Sequence, residues 1–185
     1  MDTQDRLIES AQELLWERGY VGTSPKAIQQ RSGVGQGSMY HHFDGKPDLA
    51  AAALRRSGEQ LRALAEQQLG GPGTSYERIA GYLGREREVL RGCRIGRMAQ
   101  DPEVVADPRL REPVEQTLAW LRGRLAEVVA EGRAAGELAA GPDPADTAAA
   151  IVAVLQGGYV LARAAGSPEP FQQAVRGALA LLRTP

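Results

Sequence analysis

Apolar residues recur at three- and four-residue intervals along nearly the whole of this chain, and no segment sustains the alternation of a strand. The pattern opens with Leu7, Ile8, Ala11, Leu14 and Leu15, one stripe along a helix. Such a chain can close a core only by packing helix on helix, so an all-α fold is expected. Thr3 reads as the first N-cap and Gly19 as the stop. Thr23-Ser24-Pro25, a hydroxyl cap followed by proline at the first helical position, opens a second helix that Gly33-Val34-Gly35 breaks. A third runs from Gln36 to Phe43 and is stopped by Asp44-Gly45. Lys46-Pro47-Asp48 starts a long fourth helix reaching about Gln68, before the loop Gly70-Gly71-Pro72-Gly73-Thr74-Ser75. Further helices are predicted at about 75–91, 94–100, 108–135, 143–165 and 168–183.

At 185 residues, 43% hydrophobic and 24% charged, the chain can bury a core in one large domain or two small ones. One cysteine excludes an intrachain disulfide, and two histidines with one cysteine are too few for most protein zinc sites. The acidic start, Met1 to Asp5, lacks the regions of a secretory signal, so a soluble cytoplasmic protein is expected. Thr147 to Ala162 carries no charge but falls short of the roughly 20 apolar residues that span a bilayer. It reads as a buried or subunit-facing helix, with no membrane partner. Phe171, Val175, Ala178 and Leu182 give the last helix a single apolar face. These two helices could form half of an intersubunit four-helix bundle, or close the monomer's own core.

Two short helices joined by a glycine-containing turn read as a helix-turn-helix. On the second, Met39 and Phe43 should face inward with Val34 and Ile28. Gly37, Ser38 and His41 then point away, flanked by Gln36, Tyr40 and His42, on a face free of carboxylates. That face suits a major groove: Gly37 permits close approach, and Gln36 can read a base edge. Tyr40 and His42 can donate to phosphates. Thr23 and Ser24 stand at a helix start where N–H groups favour a phosphate, with Lys26, Arg31 and Lys46 adding charge. The balance of 22 Lys and Arg against 23 Asp and Glu, read alone, argues against a nucleic-acid partner. Locally the tally reverses: residues 23–46 hold three basic side chains and one acid, while Asp2, Asp5, Glu9, Glu13 and Glu17 gather on the first helix.

Gly19-Tyr20 to Leu49 resembles the DNA-binding domain of TetR-family transcriptional regulators. The resemblance rests on Gly-Tyr, Thr-Ser, Ile28, Gly33-Val34, Gly37-Ser38-Met39-Tyr40-His41-His42-Phe43, then Lys46 and Leu49. Gln29, Gln36 and Gly45-Lys46-Pro47 depart from the common pattern without breaking it. The resemblance implies a helix-turn-helix domain at 1–46, joined by a long helix to a ligand-binding and dimerisation domain at 47–185. It places Gln36, Gly37 and Ser38 nearest the bases, and Tyr40, His42, Lys46 and Thr23 on the backbone, with His41 reaching either. It further implies a homodimer through the last two helices on a near-palindromic operator, released by a small lipophilic or aromatic effector. In that mechanism the effector shifts a population by pushing the fourth helix.

Arg91-Gly92-Cys93-Arg94-Ile95-Gly96-Arg97-Met98-Ala99 resembles a Gly-Cys segment of a subset of these regulators. Cys93 either packs as a small hydrophobe or, with Arg91, Arg94 and Arg97 near it, senses oxidants or electrophiles. Polar and aromatic residues inside apolar helices nominate Tyr82, Cys93, Met98, Gln116, Trp120, Gln156 and Tyr159 as effector contacts. No catalytic, metal or cofactor set is expected, since the adjacent His41 and His42 project about 100° apart. A thiol enzyme or ligand carrier centred on Cys93 is the alternative of another class.

Overall fold

The structure, a computed structural model, describes residues 2–183. Among them are nine α-helices, a single 3-10 turn and no strand, the all-α fold expected. They are α1 (Thr3–Arg18), α2 (Pro25–Ser32), α3 (Gln36–His42), α4 (Lys46–Leu69), α5 (Ser75–Gly84), α6 (Pro102–Ala106), α7 (Pro108–Ala134), α8 (Pro144–Ala165) and α9 (Glu169–Leu182), with the 3-10 turn at Met98–Gln100. The described residues pack as two compact units, residues 2–60 with 94–117 and residues 61–93 with 118–183. It crosses between them within α4, after Cys93 and within α7.

In the first unit, Leu7, Ile8, Ala11, Leu14 and Leu15 are all buried, as their spacing requires. The cap of α1 is Asp2 rather than Thr3: its carboxylate accepts the Thr3 N–H at 2.6 Å. Gly19 ends α1 at φ 75°, a conformation L side chains resist, with its N–H on the Leu15 carbonyl. The stretch beyond Gly84 departs most from expectation. The helix predicted to 91 stops at Gly84, and 94–100 is a series of turns ending in one 3-10 turn. Side chains override local propensity here. Arg87 folds back onto the carbonyls of Tyr82 and Leu83 and caps α5. Arg94 pairs with Glu13 at 2.6 Å and lies 3.9 Å over the Trp16 ring, while Arg97 donates to the Trp16 carbonyl. Asp101 then caps α6, a helix not anticipated.

The second unit closes around Leu69, Ile79, Tyr82, Leu125, Leu155 and Phe171. A capping box between Thr74 and Glu77 starts α5. Hydrogen bonds from Thr74 hold the Glu77 carboxyl below its ordinary pKa. Helix α8 turns Ala148, Ile151, Leu155, Tyr159 and Ala162 into this core, and α9 meets it with Phe171, Val175 and Leu182, with Ala178 also buried. By length and mean hydropathy of 1.5 alone, α8 is long and apolar enough to cross a membrane.

Candidate functional site

The helix-turn-helix is built by local chemistry. The Ser24 hydroxyl accepts the Ala27 N–H at 3.1 Å, and Pro25 sits where a missing N–H costs nothing. Gly33 ends α2 in the left-handed region at φ 66°, and the chain re-enters a helix after Gly35. Ile28, Val34, Met39 and Phe43 are buried, so the inner face of α3 is the one its spacing predicted. The Gln29 amide donates to the Met39 sulfur at 3.6 Å, and Arg6 donates to the Ser32 carbonyl, tying α3 to α2 and the turn to α1.

On the outer face Gln36, Gly37, Ser38, Tyr40 and His41 are exposed, with His42 half-buried. The His41 and His42 rings meet edge-on at 5.2 Å, and residues 36–42 carry no acid. Among the described residues, nothing beyond its chain neighbours and the helix's own backbone lies within 4 Å of where a Cβ on Gly37 would stand. Glycine inside a helix costs about 1 kcal/mol relative to alanine, and no neighbour within the chain demands it here. Ser24 and Lys26 are exposed beside this face, and Lys46 Nζ lies 3.8 Å over the Tyr20 ring. Burial raises the Tyr20 phenol above its ordinary pKa.

Two expectations change. Thr23 is buried, and its hydroxyl donates to the Gly19 carbonyl at 2.7 Å, so the side chain builds the turn rather than facing outward. Arg31 forms a salt bridge with Glu17 at 3.0 Å, which spends its charge within the protein. The sequence reading also missed Asp101. Its carboxylate accepts the N–H groups of Tyr20 (2.8 Å) and Val21 (3.2 Å) on one oxygen, and of Glu103 (3.1 Å) and Val104 (3.4 Å) on the other. Asp101-Pro102 is the same cap-then-proline signal as Ser24-Pro25 and was legible.

The nominated effector residues do not all converge. Tyr82 and Tyr159 are buried in the second unit, with Cys93 packed partly against the same core. Burial pushes the Tyr159 phenol up to about 12 and raises that of Tyr82, so both stay protonated. Trp120 and Gln156 are half-buried in the same unit, Trp120 with the Arg62 guanidinium 5.7 Å from its ring. Met98 is buried in the first unit, and Gln116, also there, is exposed and donates to Glu112 at 2.9 Å. Of the arginines flanking Cys93, Arg91 pairs with Glu88, while Arg94 and Arg97 engage Glu13 and the Trp16 carbonyl. Among the described residues no group of three or more His, Cys, Asp or Glu side chains could hold a metal.

Comparison with known proteins agrees with this arrangement. Residues 7–53 match the bacterial regulatory proteins of the tetR family, and residues 76–178 match the tetracyclin repressor-like C-terminal domain. The transcriptional regulator AcuR of Cereibacter sphaeroides is 27% identical over 177 residues, covering 92% of this chain and 80% of that protein. The reduced form of Escherichia coli NemR superposes with a TM-score of 0.88 at 23% identity, covering 100% and 99% of the two chains. A cysteine mutant of the TetR-family regulator CifR, complexed with 26-bp double-stranded operator DNA, superposes at 0.80 with 26% identity, covering 96% and 95%. The chain belongs to the TetR family of ligand-responsive, DNA-binding transcriptional regulators.

Proposed function

We propose that the chain is a cytoplasmic homodimeric repressor that reads a near-palindromic operator with α3 and leaves it when a small effector occupies the second unit. The observation that carries the reading is the outer face of α3: exposed, free of acid and open at Gly37, above a fully packed inner face. Gln36, Gly37 and Ser38 would meet base edges; Ser24, Lys26, Tyr40, His41, His42 and Lys46 would meet the backbone. Two copies of α3 would enter successive major grooves, about 34–36 Å apart.

The partner copy is argued from α8. Its outer side exposes Ala153, Gly157, Val160, Leu161 and Ala164, and on α9 Leu181 is 84% exposed. A contiguous exposed apolar face of this kind marks an association surface. Effector binding worth about 1–3 kcal/mol of coupling would lower operator affinity about 5- to 150-fold. The test is a gel shift with the DNA immediately upstream of the chain's own gene, with excess unrelated duplex as competitor. Sequence-specific retardation by a dimer is expected; none at low salt refutes the reading.

NemR's reduced form and CifR's cysteine mutant bear on a second reading, in which oxidation of Cys93 supplies the signal. A Cys93→Ser protein that still releases the operator on oxidant treatment would remove it.

A further inference from the structure

Beyond α5, burial alternates along residues 85 to 88. Arg85 and Arg87 are half-buried, whereas Glu86 and Glu88 are exposed. The alternation turns two cations toward the core and two acids toward water. Packing alone would favour apolar residues at 85 and 87, because a charge taken from water needs a partner.

The partners available do not supply one. Arg87 Nη1 donates to the carbonyls of Leu83 at 2.7 Å and Arg85 at 2.9 Å, and Nη2 to that of Tyr82. Its guanidinium lies 5.3 Å from the Tyr82 ring and 5.8 Å from that of Phe171. That of Arg85 lies 5.7 Å from the Tyr82 ring, and its Nε is shielded from solvent with no hydrogen-bond partner. Among the described residues no carboxylate pairs with either arginine; Glu88 pairs with Arg91 instead. Burial lowers the pKa of Arg87, and the like charge of Arg85 adds to the effect. Beside the two cations stands an aromatic wall, with the Tyr159 and Phe171 rings 4.8 Å apart.

We infer that Arg85 and Arg87 receive the carboxylate of the effector, a small apolar or aromatic monocarboxylic acid whose body rests on Tyr82, Tyr159 and Phe171. The inference rests on the reading of the second unit as the effector site. A guanidinium matches a carboxylate through paired N–H donors, and the protonated tyrosines supply neutral donors beside it. A single apolar body fits the aromatic wall, whereas a fully hydrated anion such as phosphate would leave that wall unused. Arg87 also caps α5, so Arg85, whose Nε has no hydrogen-bond partner among the described residues, is the position that isolates the function.

The test is thermal denaturation of the full chain with benzoate, phenylacetate, cinnamate, hexanoate or decanoate. Each acid is set against its own primary amide at constant ionic strength, with inorganic phosphate as a further arm. At about a hundred times its dissociation constant, an acid that binds raises Tm by about 5–10 °C, and its amide does not. Arg85→Met abolishes the shift while leaving the Tm of the ligand-free protein equal or higher, because a half-buried cation without a counter-ion has been removed. A merely structural arginine would lower it. Five silent acids, amides that match their acids, phosphate matching them, or an Arg85→Met response equal to the parent's would each overturn the inference. Should Arg85→Met lose its helical circular dichroism, the acid–amide comparison on the unaltered chain decides alone. Specific operator retardation without acid preference sinks this inference and spares the regulator reading; acid preference without any retardation does the reverse.

Discussion

Asp101 offers the most quantitative test of how the DNA-binding head is held. One carboxylate serves four backbone donors, two at the turn after α1 and two at the start of α6. Asp101→Ala removes a helix cap, worth about 1 kcal/mol. It also strands the N–H group of Tyr20; a buried donor without an acceptor costs about 1–3 kcal/mol. Together the loss is roughly 2–4 kcal/mol. For a chain of this length each kcal/mol moves Tm by about 2–4 °C, so a fall of roughly 5–15 °C is expected. Trp16, buried in the first unit, reports that unit by fluorescence in a Trp120→Phe background. Asp101→Asn keeps one acceptor oxygen and should melt between parent and Ala variant. An Asp101→Ala protein melting within about 2 °C of its parent would refute the reasoning, since that is less than one lost cap accounts for.

Gly37→Leu should leave Tm unchanged or raise it slightly, because the space there is open and leucine favours helix, yet abolish operator retardation. Gln36→Ala should relax sequence preference at one base position in a binding-site selection, whereas Tyr40→Ala should weaken all sequences alike. Lys26→Ala should reduce the slope of log K against log salt by about 0.9, the value of one phosphate contact. Val160→Glu, placed on the exposed apolar side of α8, should yield monomers in sedimentation velocity with little change in helical content.

The helix-turn-helix was legible because its determinants are neighbours in the chain. Ser24, Pro25, Gly33, Met39 and Phe43 act through caps, φ preference and period, which a sequence displays directly. Within 85–106 the two ends are local, Arg87 capping α5 and Asp101-Pro102 starting α6, but residues 94–101 between them were misread because their conformation is decided at long range. Arg94, Arg97 and Asp101 find Glu13, Trp16 and Tyr20, partners about 80 residues earlier, and no periodicity announces such bonds. Thr23 shows a subtler limit: its position beside Ser24 was right for a cap, but a four-residue reach back to Gly19 claimed its hydroxyl. The nominated effector residues scattered for a similar reason. Apolar context marks a residue as buried, but not which unit buries it, as Met98 shows.

The ion pairs on α1 bear on how such a protein finds its site in a genome. Glu17 holds Arg31, Glu13 holds Arg94 and Asp5 holds Arg56 at 2.8 Å, so three acids of α1 and three bases pair within the fold. Sequence-independent adhesion to DNA is almost wholly electrostatic, and a head with little spare charge has little of it. Such a protein spends less time parked on the excess of irrelevant DNA and more in free diffusion between encounters. Occupancy of one operator among millions of decoys depends on the ratio of specific to non-specific affinity, and quenching the background improves that ratio without a single added base contact.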